Sequence, residues 1–195
     1  MSLIQSNKRR IVDSNEFNVL IEQICRQFVE AHPKALKNNR VKVVGIHTRG
    51  VYLAKRITEI LKNKYRYNIQ LGFLDITLYR DDVGEIGNQP LVKETHIPFS
   101  IDNKTVLLVD DVLFTGRTIR AALDALLELG RPYAVRLAVA VDRGGRELPI
   151  QADYYGTKMN VNSNERVQVK IKDLDKEDSI WLLKRIDKYP KKLLS

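Results

Sequence analysis

The chain has 195 residues, 44% of them hydrophobic and 29% charged, a composition typical of a globular protein with a sizeable core. No apolar stretch approaches the roughly 20 residues that span a bilayer, and the amino terminus lacks a signal-peptide segment, so we expect a cytoplasmic protein without a membrane partner. The net charge of +9 fits a nucleic acid or a polyanionic small substrate and does not separate the two.

The first predicted element is a helix that follows a capping signal. Asp13 and Glu16 have the spacing of a capping box, and apolar residues then recur at helical intervals to about residue 31. The single cysteine, Cys25, falls inside this helix and is expected to be a small buried hydrophobic residue rather than a nucleophile. Basic residues cluster near both chain ends, and we expect solvated tails over residues 1–10 and 187–195.

A strand, loop and helix unit is predicted from residue 41. Residues 41–46 form a short apolar strand, Thr48-Arg49-Gly50 form a loop, and a helix with an apolar face follows. This order places the loop at the carboxyl edge of a parallel sheet, where open α/β folds bind ligands. Arg49 could hold a polyanion with a bidentate fork, but an arginine in such a turn is about as often simply solvated.

A strand with a phase change near Leu74 is predicted over residues 69–78, followed by a long polar loop to about residue 93. Loops of this length in compact domains are often lids over binding sites, which exclude water during transfer chemistry. A disordered excursion is the equally weighted alternative.

Residues 106–118 are the most informative stretch. Four apolar residues, 106–109, predict a strand buried on both faces, hence a parallel sheet covered by helices. Asp110 and Asp111 follow at its carboxyl end and suit sugar hydroxyls or Mg2+. Residues 115–118, Thr-Gly-Arg-Thr, then lead into an amphipathic helix whose amino terminus favours a phosphate. The ordinary alternative is a turn with two solvated aspartates and a helix cap. The apolar positions expected on or near one face of this helix are Ile119, Leu123, Leu126, Leu127 and Leu129.

Further strands are predicted near residues 134–141, 153–155 and 167–171, with a short helix near residues 179–186. Arg143 and Arg146 lie in a turn at the same sheet edge, where either could contact a phosphate, a substrate or a nucleic acid. Three scattered histidines do not suggest a metal site. The alternation of strands and helices predicts an α/β fold with a central, mostly parallel sheet flanked by helices.

The stretch of four apolar residues, two acids, four further residues and Thr-Gly-x-Thr resembles the ribose-phosphate motif of type I phosphoribosyltransferases. With residues 45–50, 75–82 and 141–154, the similarity extends to the bacterial pyrimidine-operon attenuation regulators that are also uracil phosphoribosyltransferases, and it covers residues 12–179. It implies a single type I phosphoribosyltransferase domain over residues 1–195, a flexible hood loop at about 71–98, and a homodimer or homotetramer.

The resemblance implies a site for phosphoribosyl pyrophosphate (PRPP). Asp110 and Asp111 would hold the ribose hydroxyls, and Thr48, Arg49 and Gly50 would bind pyrophosphate in a loop that commonly contains a cis peptide. Tyr79 and Arg80 would belong to the hood. Arg143 and Val167 would lie near the base, although Asn160-Val161 replace the family's Pro-Thr. The residues implied around the 5-phosphate and the substrate are Val112, Leu113, Phe114, Thr115, Gly116, Arg117 and Thr118.

The implied reaction transfers ribose 5-phosphate from PRPP to uracil and yields UMP and pyrophosphate. Its catalysis would be mainly electrostatic, with Asp110, Asp111 and Arg49 as catalytic groups and Mg2+ held through the substrate or by the two aspartates. The alternative is a UMP-responsive messenger RNA-binding regulator. Of the basic groups expected for RNA, this sequence keeps Arg26 and Arg146, and Glu22 on the first helix would repel phosphates.

Overall fold

The computed structural model describes residues 8–81 and 94–184. The strands are β1 (Lys8–Val12), β2 (Val41–Ile46), β3 (Leu71–Leu74), β4 (Thr105–Leu113), β5 (Ala134–Asp142), β6 (Tyr154–Lys158), β7 (Glu165–Lys170) and β8 (Ser179–Lys184). The helices are α1 (Ser14–Ala31), α2 (Pro33–Lys37), α3 (Arg49–Asn63), α4 (Arg117–Glu128) and α5 (Lys172–Asp175), with a 3-10 turn at Thr77–Tyr79. Within these residues no helix is both long and apolar enough to cross a membrane.

The central sheet has five strands in the order β3-β2-β4-β5-β6, and every neighbouring pair is parallel. Alternate residues of β4 enter two different cores, because successive side chains point to opposite faces of a strand. Leu107 and Val109 pack in the core that includes residues of α1 and α3, whereas Val106 and Leu108 pack in the core that includes residues of α4. The prediction of a parallel sheet buried on both faces is therefore confirmed.

A second sheet was not predicted. It is antiparallel, with the order β1-β8-β7, and it joins the two ends of the described chain. The helix expected near residues 179–186 is wrong, since Ser179–Lys184 is a strand. Ile180 is fully buried and pairs with Val12 on one side and Val169 on the other, so partners distant in the sequence decide the conformation of this short apolar run.

Residues 8–10, which were expected to belong to a solvated tail, lie in a strand. Lys8 and Arg10 belong to β1, and their cationic groups lie 5.5 and 6.0 Å from the centroid of the Trp181 ring on β8. Cation–π contact and strand pairing thus hold residues that looked like solvated charges in the sequence. The expected tail over residues 187–195 lies outside the described residues.

Helix α1 is confirmed with its capping box. The Asp13 carboxylate accepts from the backbone N–H groups of Asn15 and Glu16, while the Asp13 N–H donates to the Glu16 carboxylate at 2.9 Å. Cys25 is fully buried in this helix, and burial, followed by the charge of Glu22, raises the pKa of its thiol to about 12. It is a core residue, as expected.

Helix α4 buries only part of the face predicted for it, with Leu123 partly buried against the core. Leu127 and Leu129 are 54% and 49% exposed, and the buried face combines Ile119 and Leu126 with three alanines, Ala121, Ala122 and Ala125. Alanine has a short side chain, so the helix axis can lie close to the sheet. The positions of the larger apolar residues in the sequence did not identify these alanines as part of the buried face.

The strand predicted over residues 69–78 is shorter, because β3 ends at Leu74. The Asp75 carboxylate accepts from the backbone N–H and the hydroxyl of Thr77 and turns the chain into the 3-10 segment, which leaves Leu78 73% exposed. The expected hood at about 71–98 is fixed at both ends, since Phe73 and His96 exchange two backbone hydrogen bonds of 2.8 Å. Residues 82–93 lie outside the described part of the chain.

Candidate active site

The candidate site lies where β2, β4 and β5 end. Strand β4 continues beyond its apolar residues, so Asp110 and Asp111 stand within the strand and not after it. Leu113 at its end is in register with Asp142 of β5, and Val109 is in register with Gly45 of β2. The carboxyl ends of these three parallel strands therefore meet at one edge, as the sequence predicted.

Asp110 and Asp111 are two neighbouring carboxylates, of which the first is buried and the second half-buried. Asp110 is 6% exposed, and its Oδ1 accepts the Asp111 N–H at 2.9 Å, while Asp111 Oδ1 accepts the Val112 N–H at 3.0 Å. Burial and the charge of Asp111 raise the pKa of Asp110 well above its usual range. Burial also raises the pKa of Asp111, against a lowering by the Arg49 charge. Two carboxylates in this arrangement can bind a cation or accept hydrogen bonds from hydroxyl groups.

The loop between β2 and α3 lies directly against this pair. The His47-Thr48 peptide bond is cis, as the resemblance implied, and α3 begins at Arg49. A Cβ atom on Gly50 would stand 2.4 Å from the Val109 carbonyl oxygen and 3.1 Å from the Asp110 Cα. Only glycine permits this approach, and it brings residues 48–50 beside the two carboxylates.

Arg49 is held from outside the central sheet. Its Nη2 donates to both carboxylate oxygens of Asp175, at 3.0 and 3.1 Å. Its Nε is buried and has no hydrogen-bond partner among the described residues. A cationic group with unused donor capacity beside the acidic pair suits a polyanion.

The loop after β4 lines a pocket of about 260 Å3. Gly116 has a φ of +95°, which turns the chain into α4, and Thr115 Oγ1 accepts the Arg117 N–H at 3.3 Å. The first turn of α4 therefore opens on the pocket, and its amino-terminal dipole favours an anion there. The pocket is lined by Arg80, Asp81, Val112, Leu113, Phe114, Thr115, Gly116, Arg117, Thr118 and Ile119.

Two arginines approach the pocket in different ways. Arg80 lines it directly. Arg117 forms part of the lining, but its guanidinium donates to Asp81 at 2.5 Å and to Glu147 at 2.7 Å. The Arg117 backbone is thus placed at the loop after β4 while its side chain bridges two neighbouring segments.

The other residues implied for substrate lie around this centre. The Tyr79 hydroxyl donates to Glu128 at 2.5 Å, which fixes Tyr79 on α4. The Arg143 guanidinium stacks 3.7 Å from the centroid of the Phe114 ring, at the pocket. Val167 is 7% exposed on β7 and packs in the core, so only its backbone is suited to meet a ligand. Their roles toward a substrate stay predictions.

The Arg146 side chain stabilises the loop after β4 through hydrogen bonds. Its Nη1 donates to the Phe114 carbonyl at 2.8 Å, its Nε to the Ile150 carbonyl at 2.8 Å, and its Nη2 to the Asp142 carboxylate at 2.6 Å. These bonds give Arg146 a structural role that the sequence did not predict, and an RNA contact would have to compete with them.

Arg26, the other basic residue expected to contact RNA, is exposed on α1.

The donor set around the acidic pair fits Mg2+. Among residues 8–81 and 94–184, no group of three His, Cys, Asp or Glu side chains could enclose a metal ion. Mg2+ is commonly bound by one or two carboxylates together with substrate phosphates. Asp110 and Asp111 supply such carboxylates beside a site suited to phosphates.

Two residues of the site were missed in the sequence. Asp142 is 6% exposed at the end of β5 and accepts from the Gly144 N–H and from Arg146, and its place directly after an apolar strand was a usable signal. Asp175 pairs with Arg49 from 126 positions away and has no local pattern to identify it.

Comparison with known proteins agrees with this geometry. The model of the phosphoribosyl transferase domain matches residues 11–174. The bifunctional protein PyrR of Elusimicrobium minutum is 47% identical over 176 residues, which cover 90% of this chain and 97% of that protein. The bifunctional protein PyrR of Thermus thermophilus is 47% identical over 178 residues, with 91% and 97% covered.

Solved structures show the same fold at lower identity. The hypoxanthine phosphoribosyltransferase of Trypanosoma cruzi matches with a TM-score of 0.69 and 17% identity over 91% of this chain and 97% of that chain. A hypoxanthine phosphoribosyltransferase from Staphylococcus aureus matches with a TM-score of 0.64 and 18% identity over 93% and 94%. The chain belongs to the phosphoribosyltransferase family and, within it, to the bifunctional PyrR proteins.

Proposed function

We propose that this protein is a uracil phosphoribosyltransferase, which transfers ribose 5-phosphate from PRPP to uracil and releases pyrophosphate. The observation that carries the proposal is the packing of Gly50 against Val109 and Asp110. This packing brings the arginine-bearing loop against the acidic pair, and β4 then leads into the loop of residues 115–118 at the same sheet edge. PRPP needs these three features together, because it carries a diphosphate, a ribose and a 5-phosphate.

Each part of the site has a task in this reaction. Residues 115–118 and the first turn of α4 bind the 5-phosphate, and Asp110 and Asp111 hold the ribose hydroxyls. As the bond to pyrophosphate breaks, positive charge develops on the ribose and negative charge on the leaving group. The carboxylates stabilise the first charge and Arg49 the second, so the site acts electrostatically and needs no protein nucleophile.

Mg2+ is the cofactor that fits this chemistry. Asp110 and Asp111 would hold the ion, and it would neutralise charge on the diphosphate when bound. Ionisation of the two carboxylates, which burial opposes, would accompany its binding.

The base is assigned from the bifunctional relatives and from the resemblance at residues 141–154. We assign the base contact to Arg143, which stacks on Phe114, with the β7 backbone near Val167 as the second candidate. The departure at Asn160-Val161 falls in the segment before β7, and a panel of bases is therefore the decisive test.

The experiment is incubation with PRPP, Mg2+ and one base at a time, namely uracil, hypoxanthine or orotate, with pyrophosphate release as the measurement. We expect release with uracil and its loss when Mg2+ is chelated. Release with hypoxanthine alone would assign another base. No release with any base would reject the transferase proposal.

A second function, UMP-responsive binding of messenger RNA, is favoured by the relatives' description as bifunctional and by the net charge of +9. Arg26 is exposed, whereas Arg146 is engaged with the phosphate loop and Glu22 pairs with Lys64 at 2.6 Å. The partners proposed for this function are messenger RNA and UMP, in a homodimer or homotetramer.

A gel shift on the leader RNA of the organism's own pyrimidine genes tests this second function. Binding that strengthens with UMP and weakens with salt supports it, because phosphate contacts release counterions. Binding that is the same with and without UMP contradicts it. Arg26→Ala should weaken the shift. Lys62→Ala, at an exposed position of α3, serves as a control for general loss of charge.

A further inference from the structure

Arg49 forms an ion pair with a carboxylate from a segment far away in the chain. Asp175 is the last residue of α5, between β7 and β8, and both of its carboxylate oxygens contact Arg49 Nη2. The side chains are 32% and 20% exposed, so water screens the pair only in part. The pair links the pyrophosphate loop of the central sheet to the small antiparallel sheet.

Asp175 is itself fixed in place. Its Oδ2 accepts the Ile171 N–H at 3.0 Å, and its own N–H donates to the Ile171 carbonyl at 2.7 Å. Ile171 is fully buried. The carboxylate is therefore anchored to the end of β7, and it presents Arg49 with a partner whose position is set by the core.

The pair leaves most of the guanidinium unused. Arginine binds a carboxylate or phosphate best through two nitrogens at once, but Asp175 contacts only Nη2. Arg49 Nε is buried without a hydrogen-bond partner among the described residues, and a buried donor left unpaired is unfavourable. An arriving anion can satisfy it while Asp175 keeps hold of Nη2.

We propose that Asp175 is a positioning residue for PRPP binding, which holds Arg49 so that its remaining N–H groups meet the diphosphate. The inference rests on the proposed transferase function. Arginine has large rotamer freedom, and a side chain that is ordered before binding loses less entropy when the ligand arrives. The opposing effect is the negative charge of Asp175, which would repel a diphosphate. If the ordering of Arg49 dominates, removal of the carboxylate should weaken PRPP binding. If charge repulsion dominates, its removal should strengthen that binding.

The first test measures KM for PRPP, KM for uracil and kcat in Asp175→Ala and Asp175→Asn. We expect Asp175→Ala to raise KM for PRPP about tenfold, equivalent to roughly 1.4 kcal/mol, with KM for uracil unchanged. Asp175→Asn should lie between, because its amide oxygen still accepts from Arg49. A lower KM for PRPP in both variants would mean that Asp175 competes with the diphosphate, and it would overturn the proposal.

Asp173→Ala is the matched control. Asp173 lies on the same short helix, is 53% exposed and pairs with Arg56 at 3.0 Å, so its loss should leave KM for PRPP unchanged. If Asp173→Ala raises that KM as much as Asp175→Ala does, the effect is a general loosening of α5 and the proposal fails.

A double-mutant cycle tests whether Asp175 acts through Arg49. In an Arg49→Ala background, Asp175→Ala should have no further effect on PRPP binding, and an additive loss would refute the mechanism. Calorimetric binding of Mg2+-pyrophosphate separates the inference from the transferase function. If the protein transfers no base but Asp175→Ala weakens this binding, the positioning role stands; equal or tighter binding overturns it.

Discussion

Asp110 and Asp111 combine a structural cost with a proposed functional gain. Burial raises the pKa of both carboxyl groups, and the charge of Asp111 further opposes ionisation of Asp110. Arg49 offsets part of this for Asp111. Such opposing effects are typical of sites whose charge is balanced only when a ligand is bound.

Asp110→Asn is predicted to lower kcat for uracil transfer by roughly 100-fold, with a small change in KM for PRPP, because the charge opposite the developing ribose cation is lost. The measurement is steady-state kinetics with both substrates varied. Asp124→Asn, an exposed carboxylate on α4 that pairs with Arg120, is the control. Unchanged kinetics in Asp110→Asn would refute the role given to Asp110.

The same substitution has a predicted effect on stability. Burial, together with Asp111, raises the pKa of Asp110 in the folded state. Between the unfolded pKa and this raised value the folded protein binds more protons, so its free energy of unfolding falls as the pH rises. Asp110→Asn should therefore be more stable than the parent above that window, by on the order of 1 kcal/mol, and equal to it near pH 4.

Urea denaturation at pH 4, 6 and 8 checks this dependence. Asp124→Asn should follow the parent at every pH. A stability difference that is constant with pH would show that the Asp110 charge is not the cause.

At the scale of elements, the fit of α3 against β4 decides the geometry of the site. The helix starts so close to the strand that a Cβ atom on Gly50 would stand 2.4 Å from the Val109 carbonyl oxygen. A Cβ atom on Gly45 of β2 would stand 2.6 Å from the Val51 Cα. Two glycines thus let a helix and two strands approach at one point. The loop with the cis peptide lies between them.

Gly50→Ala is predicted to lower the free energy of unfolding by about 1–3 kcal/mol, because its Cβ would stand 2.4 Å from a backbone oxygen that cannot move freely. Binding of Mg2+-pyrophosphate should weaken as well, since Arg49 shifts with the helix start. Chemical denaturation and calorimetry measure the two effects. Glu59→Ala, at an exposed position of the same helix, should change neither.

At the scale of the molecule, three ion pairs connect helix α3 to the segment between β7 and β8 of the small antiparallel sheet. Arg49 reaches Asp175, and Arg56 reaches both Asp173 at 3.0 Å and Asp178 at 2.8 Å. All three aspartates lie between β7 and β8. Helix α3 therefore anchors the small sheet through charges as well as through the shared core.

Arg56→Met is predicted to destabilise the protein by about 3 kcal/mol, because Asp178, only 9% exposed, would lose its ion-pair partner. Hydrogen exchange should accelerate most at the amides of β7 and β8. Arg120→Met removes an exposed pair on α4 and should change stability by less than about 0.5 kcal/mol. Equal effects of the two substitutions would contradict the anchoring role of Arg56.

The sequence by itself determined the central sheet and the order of the site along the chain. Strand β4 could be predicted because its four apolar residues need burial on both faces, and α1 because its capping box and helical periodicity agree. The cis peptide before Arg49 came from a family resemblance. The strand and the helix are local features, since neighbouring residues contain the information that specifies them.

Only the tertiary structure decided the second sheet, the role of Arg146 and the partner of Arg49. The run around Ile180 is a strand because β1 and β7 supply backbone partners from either side, and Arg146 faces Phe114 because the loop after β5 folds back. Asp175 meets Arg49 across 126 residues. Such contacts depend on which distant backbones come together, and no local pattern in a single sequence encodes them.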